Sequence, residues 1–284
     1  TLLAAAAARR IPVALVNARL SERSAARYAR ASSLVAPMLR RLDAIGAQGE
    51  ADAARLVALG ARHPTVTGNL KFELALPEAM RERGAALRQR IGAGRPVWLA
   101  ASTRDGEEVL LLDAMARHPL PDGALLVLVP RHPQRFDDVA ALVRSRGLGL
   151  ARRSRDDAIT AGTRVLLGDT MGEMLAWCVA SDLAFVGGSL LPFGGQNVLE
   201  PLAAGVPALV GPHTRNFEEI TRRAIEAGAV ARVADADALL RTVATLLPDP
   251  VARAAMSAAA ARFLAQHRGA LDRTWQLLAP LLPS

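Results

Sequence analysis

Short apolar blocks rich in β-branched residues alternate along the chain with longer stretches whose apolar positions recur every three or four residues, the patterns of strands and amphipathic helices in succession. An Ala-rich helical run over 1–10 leads into Ile11-Pro-Val-Ala-Leu-Val16, which reads as a buried parallel strand. A helical stretch from Ser21 to about Leu42 follows, then a strand at 43–47, a helix from Glu50 to Leu59 closed by Gly60, and a short strand at 65–67. Gly68 to Pro77 reads as a connection between domains. From about Glu78 the alternation restarts, with strands predicted at 97–101, 125–130, 165–168, 183–187, 206–210 and 229–233. Helices are predicted between them at 107–118, 133–146, 170–181, 197–204 and 217–227, and after them at 236–247, 251–266 and 271–282. This order predicts an α/β protein with doubly wound parallel sheets. The first stretch holds too few strand–helix units to cover both faces of a parallel sheet, so it reads as part of a domain followed by a whole one.

The length of 284 residues and a composition of 51% hydrophobic and 22% charged residues are globular and exclude global disorder. The formal net charge is +8, almost all of the positive side being arginine, since Lys71 is the sole lysine. That balance points either to anionic partners or to solvated arginine-rich faces. Aromatic residues are only 4% and form no basic, aromatic-interleaved stripe, which argues against nucleic acid as a partner. The one cysteine, Cys178, excludes an intramolecular disulfide, fits a reducing compartment and lies in an apolar run as a buried structural thiol. The scattered histidines show no metal-ligand spacing, and no apolar stretch near a strand approaches the ~20 residues that span a bilayer. The first ten residues carry their charges at the wrong end for a signal peptide.

In an open parallel sheet, ligands bind beyond the carboxyl ends of the strands. The unusual residues fall there: Ala100 to Glu108, Pro130-Arg-His-Pro133, Asp169-Thr-Met-Gly-Glu173 and the glycine-rich Gly187 to Pro201. Glycines 187, 188, 194 and 195 permit positive φ and close backbone approach, and they feed a helix predicted to start near Asn197, whose free N–H groups suit one phosphate. Glu200, one turn in, is placed to accept from a ribose diol. Asn197 with Glu200, Thr170 with Glu173 and Asp105 with Glu108 also have capping-box spacing, which explains a pair but not the doubled glycines around 190–193. Arg131, at the end of an apolar strand, calls for an anion, either a phosphate or carboxylate ligand or a neighbouring acid. Met171 and Gly172 offer either backbone groups to a base edge or plain packing, and Glu173 fixes their loop. Lys71 at the domain joint reads either as functional or as solvated, and His132 as an oriented loop histidine.

In these loops the sequence resembles the 3-deoxy-D-manno-octulosonic acid (Kdo) transferase family. The matching segments run in order: Asn17-Ala-Arg-Leu-Ser21, Gly68-Asn-Leu-Lys-Phe72, Ala101-Ser-Thr-Arg104, Pro130-Arg-His-Pro133, Asp169 to Glu173, Gly187-Gly-Ser189, Gly194-Gly-Gln-Asn-Val-Leu-Glu-Pro201 and Gly211-Pro-His-Thr-Arg-Asn-Phe217. The resemblance implies a GT-B type enzyme of two Rossmann-like domains, the N-terminal one incomplete in this chain. It implies metal-independent, inverting transfer of Kdo from CMP-Kdo to a lipid A precursor at the cytoplasmic face of the bacterial inner membrane, with no cofactor. It places CMP contacts on Pro130, Arg131, Met171, Gly172, Glu173, Asn197, Val198, Leu199 and Glu200, with Ser102, Thr103 and Gly195 near phosphate or sugar. Family members often carry His where this chain has Gln196. The implied boundaries are 1–76 for the acceptor part and linker, 77–266 for the donor domain and 267–284 for a helix returning to the first domain. The family's membrane anchor, a glycine-rich loop and its general-base glutamate precede the region matched by Thr1, so the expectation is donor binding without turnover.

Two other readings stand beside this one. The first is a GT-B enzyme using UDP-sugars, a transferase or a 2-epimerase. The second is a noncatalytic module binding anions or an acidic membrane surface; Arg19, Arg23, Arg27, Arg30, Arg40 and Arg41 cluster in the first part of the chain, and Arg19, Arg23 and Lys71 are candidates for an acceptor or membrane side.

Overall fold

The computed structural model describes residues 2–282, which form two compact units. Unit 1 comprises the residues up to Leu74 together with those from Ala265 on, and unit 2 runs from Ala75 to Leu264. The sequence-based boundaries lie two residues later at each joint.

Unit 1 contains α1 (Leu2–Ala8), β1 (Ala14–Ala18), α2 (Glu22–Ala29), α3 (Ser32–Leu39), β2 (Ala44–Ala47), α4 (Glu50–Ala58) and β3 (Thr65–Val66). The three strands form one parallel sheet in the order β1-β2-β3. β1 starts later than the apolar run suggested. Pro12 has no N–H to give to a ladder, and Val13 is tied to Asp43 instead, donating its N–H to the Asp43 carboxylate at 2.8 Å while its carbonyl accepts from the Asp43 N–H. The helix expected over 21–42 is two helices broken at Arg30–Ala31; nothing in the sequence there marks the break. Residues 68–77 are not a free connection. Leu70–Glu73 form a 3₁₀ turn whose Phe72 is buried and stacks on His267, and Glu73 accepts the Ala270 N–H.

Unit 2 contains α5 (Glu78–Ile91), β4 (Val97–Thr103), α6 (Glu107–Arg117), β5 (Leu125–Pro130), α7 (Phe136–Ser145), β6 (Leu150–Arg152), β7 (Val165–Leu167), α8 (Met174–Val179), β8 (Leu183–Val186), α9 (Leu199–Ala203), β9 (Ala208–Val210), α10 (Glu218–Glu226), β10 (Val230–Arg232) and α11 (Ala236–Leu246). α12 (Pro250–His267) begins in unit 2, and α13 (Ala270–Leu278) belongs to unit 1. α5 and β6 are additions to the sequence-based reading. The seven strands are parallel in the order β10-β9-β8-β4-β5-β7-β6.

Alternate residues of the central strands bury opposite faces of this sheet. Trp98, Ala100, Leu126, Leu128 and Phe185 pack with Leu111 and Leu112 of α6, Val139 and Val143 of α7 and Leu239, Leu240 and Val243 of α11. Val97, Leu99, Ala101, Val127 and Val129 pack with Leu87 and Ile91 of α5 and with Trp177 of α8. Both faces are covered, which is why the strands read as unbroken apolar runs. Two helices are shorter than expected. α8 starts at Met174 because Gly172, at φ 78°, breaks the helical path and the Thr170 hydroxyl is turned to Glu173. α9 starts at Leu199, not near Asn197, and has only five residues.

Candidate functional site

All seven strands of unit 2 point the same way, so their carboxyl ends share one rim. From β4 the chain moves to β5, β6 and β7, then crosses back to β8 on the other side of β4. The topological switch point therefore lies between β4 and β8, the place where such sheets bind ligands.

At the end of β4 the ladder to β5 shifts register between Ala101 and Thr103, and Ser102 takes φ 55°, a left-handed conformation uncommon for a residue with a Cβ. The bulge leaves Ser102 half-buried and turns Thr103 fully inward, where its hydroxyl donates to Glu108 at 2.7 Å. Glu108 also receives both terminal nitrogens of Arg135, at 2.8 and 2.9 Å, a bidentate pair that raises the Arg135 pKa. The Thr103 hydroxyl is thus engaged within the fold, and the group exposed to a ligand at this strand end is Ser102. Asp105 does not cap α6 with Glu108; it pairs with Arg135 at 3.1 Å.

Glu107 holds the switch point together. It is wholly buried and accepts four backbone N–H groups, from Arg104 at 2.8 Å, Gly188 at 2.6 Å, Ser189 at 3.0 Å and Leu190 at 2.9 Å. Burial pushes its pKa up and the four N–H bonds pull it down, with burial prevailing. The backbone donors at the start of the glycine-rich loop are filled by the chain's own carboxylate. Gly187 is required by contact: a Cβ there would lie 2.6 Å from the Thr103 Cα. The loop then closes on itself, Gly195 and Gln196 donating their N–H groups to the carbonyls of Gly188 and Gly187. Arg104 lies over the Phe193 ring, 4.7 Å from its centre.

Beyond this loop Asn197 accepts the Leu199 N–H at 3.2 Å and hydrogen-bonds Glu200, while the side chains of Val198 and Leu199 are buried. Glu200 is half-buried. Burial raises its pKa, against the Asn197 hydrogen bond and the positive charge of Arg131. Pro130 is buried; Arg131 is exposed, donates its N–H to the Thr103 carbonyl at 2.9 Å and forms no ion pair among the described residues. Arg131, Ser102, Gly195 and Asn197–Glu200 are thus linked around the β4, β5 and β8 ends.

Met171 and Gly172 are exposed one strand further along, after β7. Glu173 beside them is buried and held by Thr170, by Arg153 at 3.1 and 3.2 Å and by Arg83 at 3.6 Å. Burial alone would raise its pKa, but these partners leave it lowered, so Glu173 fixes its loop as a charged carboxylate. Asp169 behaves alike, accepting the Ser154 N–H at 2.7 Å, the Ser154 hydroxyl at 2.6 Å and Arg152 Nε at 2.7 Å. Arg19, Arg23 and Lys71 belong to unit 1; the Lys71 ammonium is held below its usual range by burial and then by repulsion from Arg19. Burial pushes the Cys178 thiol far up, in keeping with an inert group. Glu107, Glu108, Arg135 and Arg104 were not assigned from the sequence. Their one signal is the acid doublet after Gly106, which also looks like ordinary first-turn charge on a helix.

Two α/β units with parallel sheets, the larger carrying its candidate ligand-binding residues on the carboxyl-end loops at a switch point, are the architecture of the GT-B fold. A Kdo-transferase family model, described as 3-deoxy-D-manno-octulosonic-acid transferase, matches residues 1–74. The chain is 46% identical over 98% of its length to a 3-deoxy-D-manno-octulosonic acid transferase of Bordetella pertussis, and 40% identical over 96% to one of Haemophilus influenzae. It spans 65% of the length of each of these relatives. The solved C-terminal CMP-Kdo binding domain of WaaA from Acinetobacter baumannii is 37% identical with a TM-score of 0.63, covering 66% of this chain and 99% of that one. Anabaena HepE bound to UDP, at 18% identity, a TM-score of 0.60 and coverage of 98% of this chain and 74% of that one, shares the fold. The chain belongs to the Kdo transferase family.

Proposed function

We propose that unit 2 binds CMP-Kdo at the β4–β8 switch point, and that the chain serves transfer of Kdo to a lipid A precursor in lipopolysaccharide biosynthesis, at the cytoplasmic face of the inner membrane. The observation that carries this reading is the state of the arginines on the rim. Arg104 and Arg131, which follow β4 and β5, form no salt bridge among the described residues, whereas Arg135, Arg152 and Arg153 of the same rim are paired. Unpaired guanidinium groups at the ligand-binding end of a parallel sheet suit an anionic sugar nucleotide. The similarity to a CMP-Kdo binding domain supports the choice of nucleotide.

In this reading Met171 and Gly172 offer backbone groups to the cytosine edge, and Glu200 accepts from the ribose diol. Arg131 faces the phosphate. As the bond from phosphate to sugar breaks, negative charge gathers on the departing CMP, and the guanidinium of Arg131, whose main chain is anchored by its N–H bond to the Thr103 carbonyl, is at hand to stabilise it. No metal is assigned a part. Titration calorimetry with CMP and UMP, with and without a chelator, tests the proposal. CMP is expected to bind more tightly than UMP and to be indifferent to the chelator. Absence of CMP binding, or preference for UMP, would sink it in favour of a UDP-sugar enzyme of the same fold.

A further inference from the structure

The segment Gly211–Phe217 has no part in the site described so far, yet it is fastened to the glycine-rich loop along its length. The Gly211 N–H donates to the Ser189 hydroxyl at 2.8 Å, the His213 N–H to the Ser189 carbonyl at 2.9 Å and the Asn216 N–H to the Gly194 carbonyl at 2.8 Å. The Asn216 amide adds bonds to the carbonyls of Phe193 and Gly195. Between the two segments lies a cavity of about 430 Å³ lined by Pro192, His213, Thr214, Arg215, Glu218 and Arg232, with Gly194 at its wall.

Its polar groups are mostly donors. Arg215 forms no hydrogen bond or ion pair among the described residues, and the only such contact of the Arg232 side chain there is donation to Thr214 Oγ at 3.2 Å. Thr214 is buried and accepts that bond, which leaves its own hydroxyl proton to donate into the cavity. Two guanidinium groups outweigh the single carboxylate of Glu218. The chemistry that fits is an anionic oxygen group, a carboxylate or a phosphate, with polar oxygens around it.

Position selects between these two. Gly194 at the cavity wall adjoins Gly195 of the rim loop, where a Cβ would lie 3.3 Å from the Thr214 Cα, so the cavity borders the loop that the resemblance places near phosphate or sugar. A 2-ulosonic acid carries its carboxylate on the anomeric carbon, which is joined to the phosphate through a single oxygen, so its second anionic group lies next to the phosphate, on the sugar side. We propose that Arg215, Arg232 and Thr214 form the seat for the carboxylate of the donor sugar, so that this chain distinguishes an acidic sugar nucleotide from a neutral one. The inference rests on the donor reading above and adds a specificity site to it.

The experiment is calorimetric titration of the whole 284-residue chain, and of its Arg215→Ala/Arg232→Ala variant, with CMP and with CMP-Kdo. Both arginines are exposed, and unchanged CMP binding verifies that the variant is folded. The expected result is that the variant binds CMP within about twofold of the parent and CMP-Kdo about tenfold or more weakly, the range for lost charged hydrogen bonds. Equal weakening of both ligands, or of neither, overturns the proposal while leaving the donor reading in place. Loss of affinity for a soluble phosphorylated glucosamine disaccharide, with CMP-Kdo unaffected, reassigns the cavity to an acceptor phosphate and also overturns it. A parent chain that binds no CMP overturns the donor reading itself.

Discussion

Asn17 at the end of β1 and Ser102 at the end of β4 both adopt φ 55°, and in each sheet the ladder shifts register at that point. The two strand ends are then fastened differently. In unit 1 the Asn17 amide oxygen accepts the Leu70 N–H at 3.2 Å, its carbonyl accepts from the Gln48 amide at 3.0 Å, and half-buried Asp52 takes a single N–H, that of Leu20, at 2.8 Å. In unit 2 the carboxylate is Glu107, wholly buried, and it takes four. A charge beside water needs few partners, whereas a charge removed from water needs a full set of donors, and collecting them fixes two loops against each other. The unit whose strand end is read as a ligand site is the one built with that rigidity.

The largest effect expected from breaking the contrast is at Glu107. Glu107→Ala leaves four backbone donors of Arg104 and residues 188–190 without their acceptor and should destabilise unit 2 by about 3–5 kcal/mol, measured by urea unfolding. Next is Asp169→Asn, which weakens a charged set of bonds to Ser154 and Arg152 and should remove about 2 kcal/mol at neutral pH. Because the folded pKa of Asp169 lies below its ordinary 3.8, the stability it gives is complete about a unit above that value and is lost as pH falls through the folded one. The gap between parent and variant should therefore be constant from pH 7 to 5 and narrow toward pH 3. A gap that widens on acidification contradicts the assignment. Glu107 and Glu200 have raised values and act with the opposite sign, so the difference between the two proteins is the clean readout. The smallest effect is at Asp52→Ala in unit 1, about 1 kcal/mol for one backbone bond at a half-exposed site. A loss there equal to that at Glu107 would dissolve the comparison.

The strands of unit 2 were legible because burial on both faces makes each a continuous apolar word, and the glycine pairs marked the rim because close approach to Thr103 at Gly187 and positive φ at Gly188, Gly194 and Gly195 favour glycine there. α5 was not legible: it is rich in charge and carries Gly84 in its middle, which reads as a breaker. A Cβ at Gly84 would meet Val179 at 2.4 Å, so that glycine is there to let α5 press on α8. The donor residues were found as a set of loops, but the sequence did not distinguish the backbone donors left for a ligand from those taken by Glu107. Two adjacent acids at a helix start carry the same local pattern whether they face water, as capping residues do, or turn inward to bind another loop. The cavity at Arg215 and Arg232 was equally hidden, since it joins residues from three strand ends.

Cys178 lies near the carboxyl end of α8, with no exposed surface, and is the only thiol in the chain. A thiol-directed reagent can reach it only when unit 2 opens, and its raised pKa suppresses reaction from the closed state. The rate at which the intact chain is labelled is therefore a clock for the opening of one unit alone, and its slowing on addition of a nucleotide would measure occupancy of the rim without any signal from the nucleotide itself.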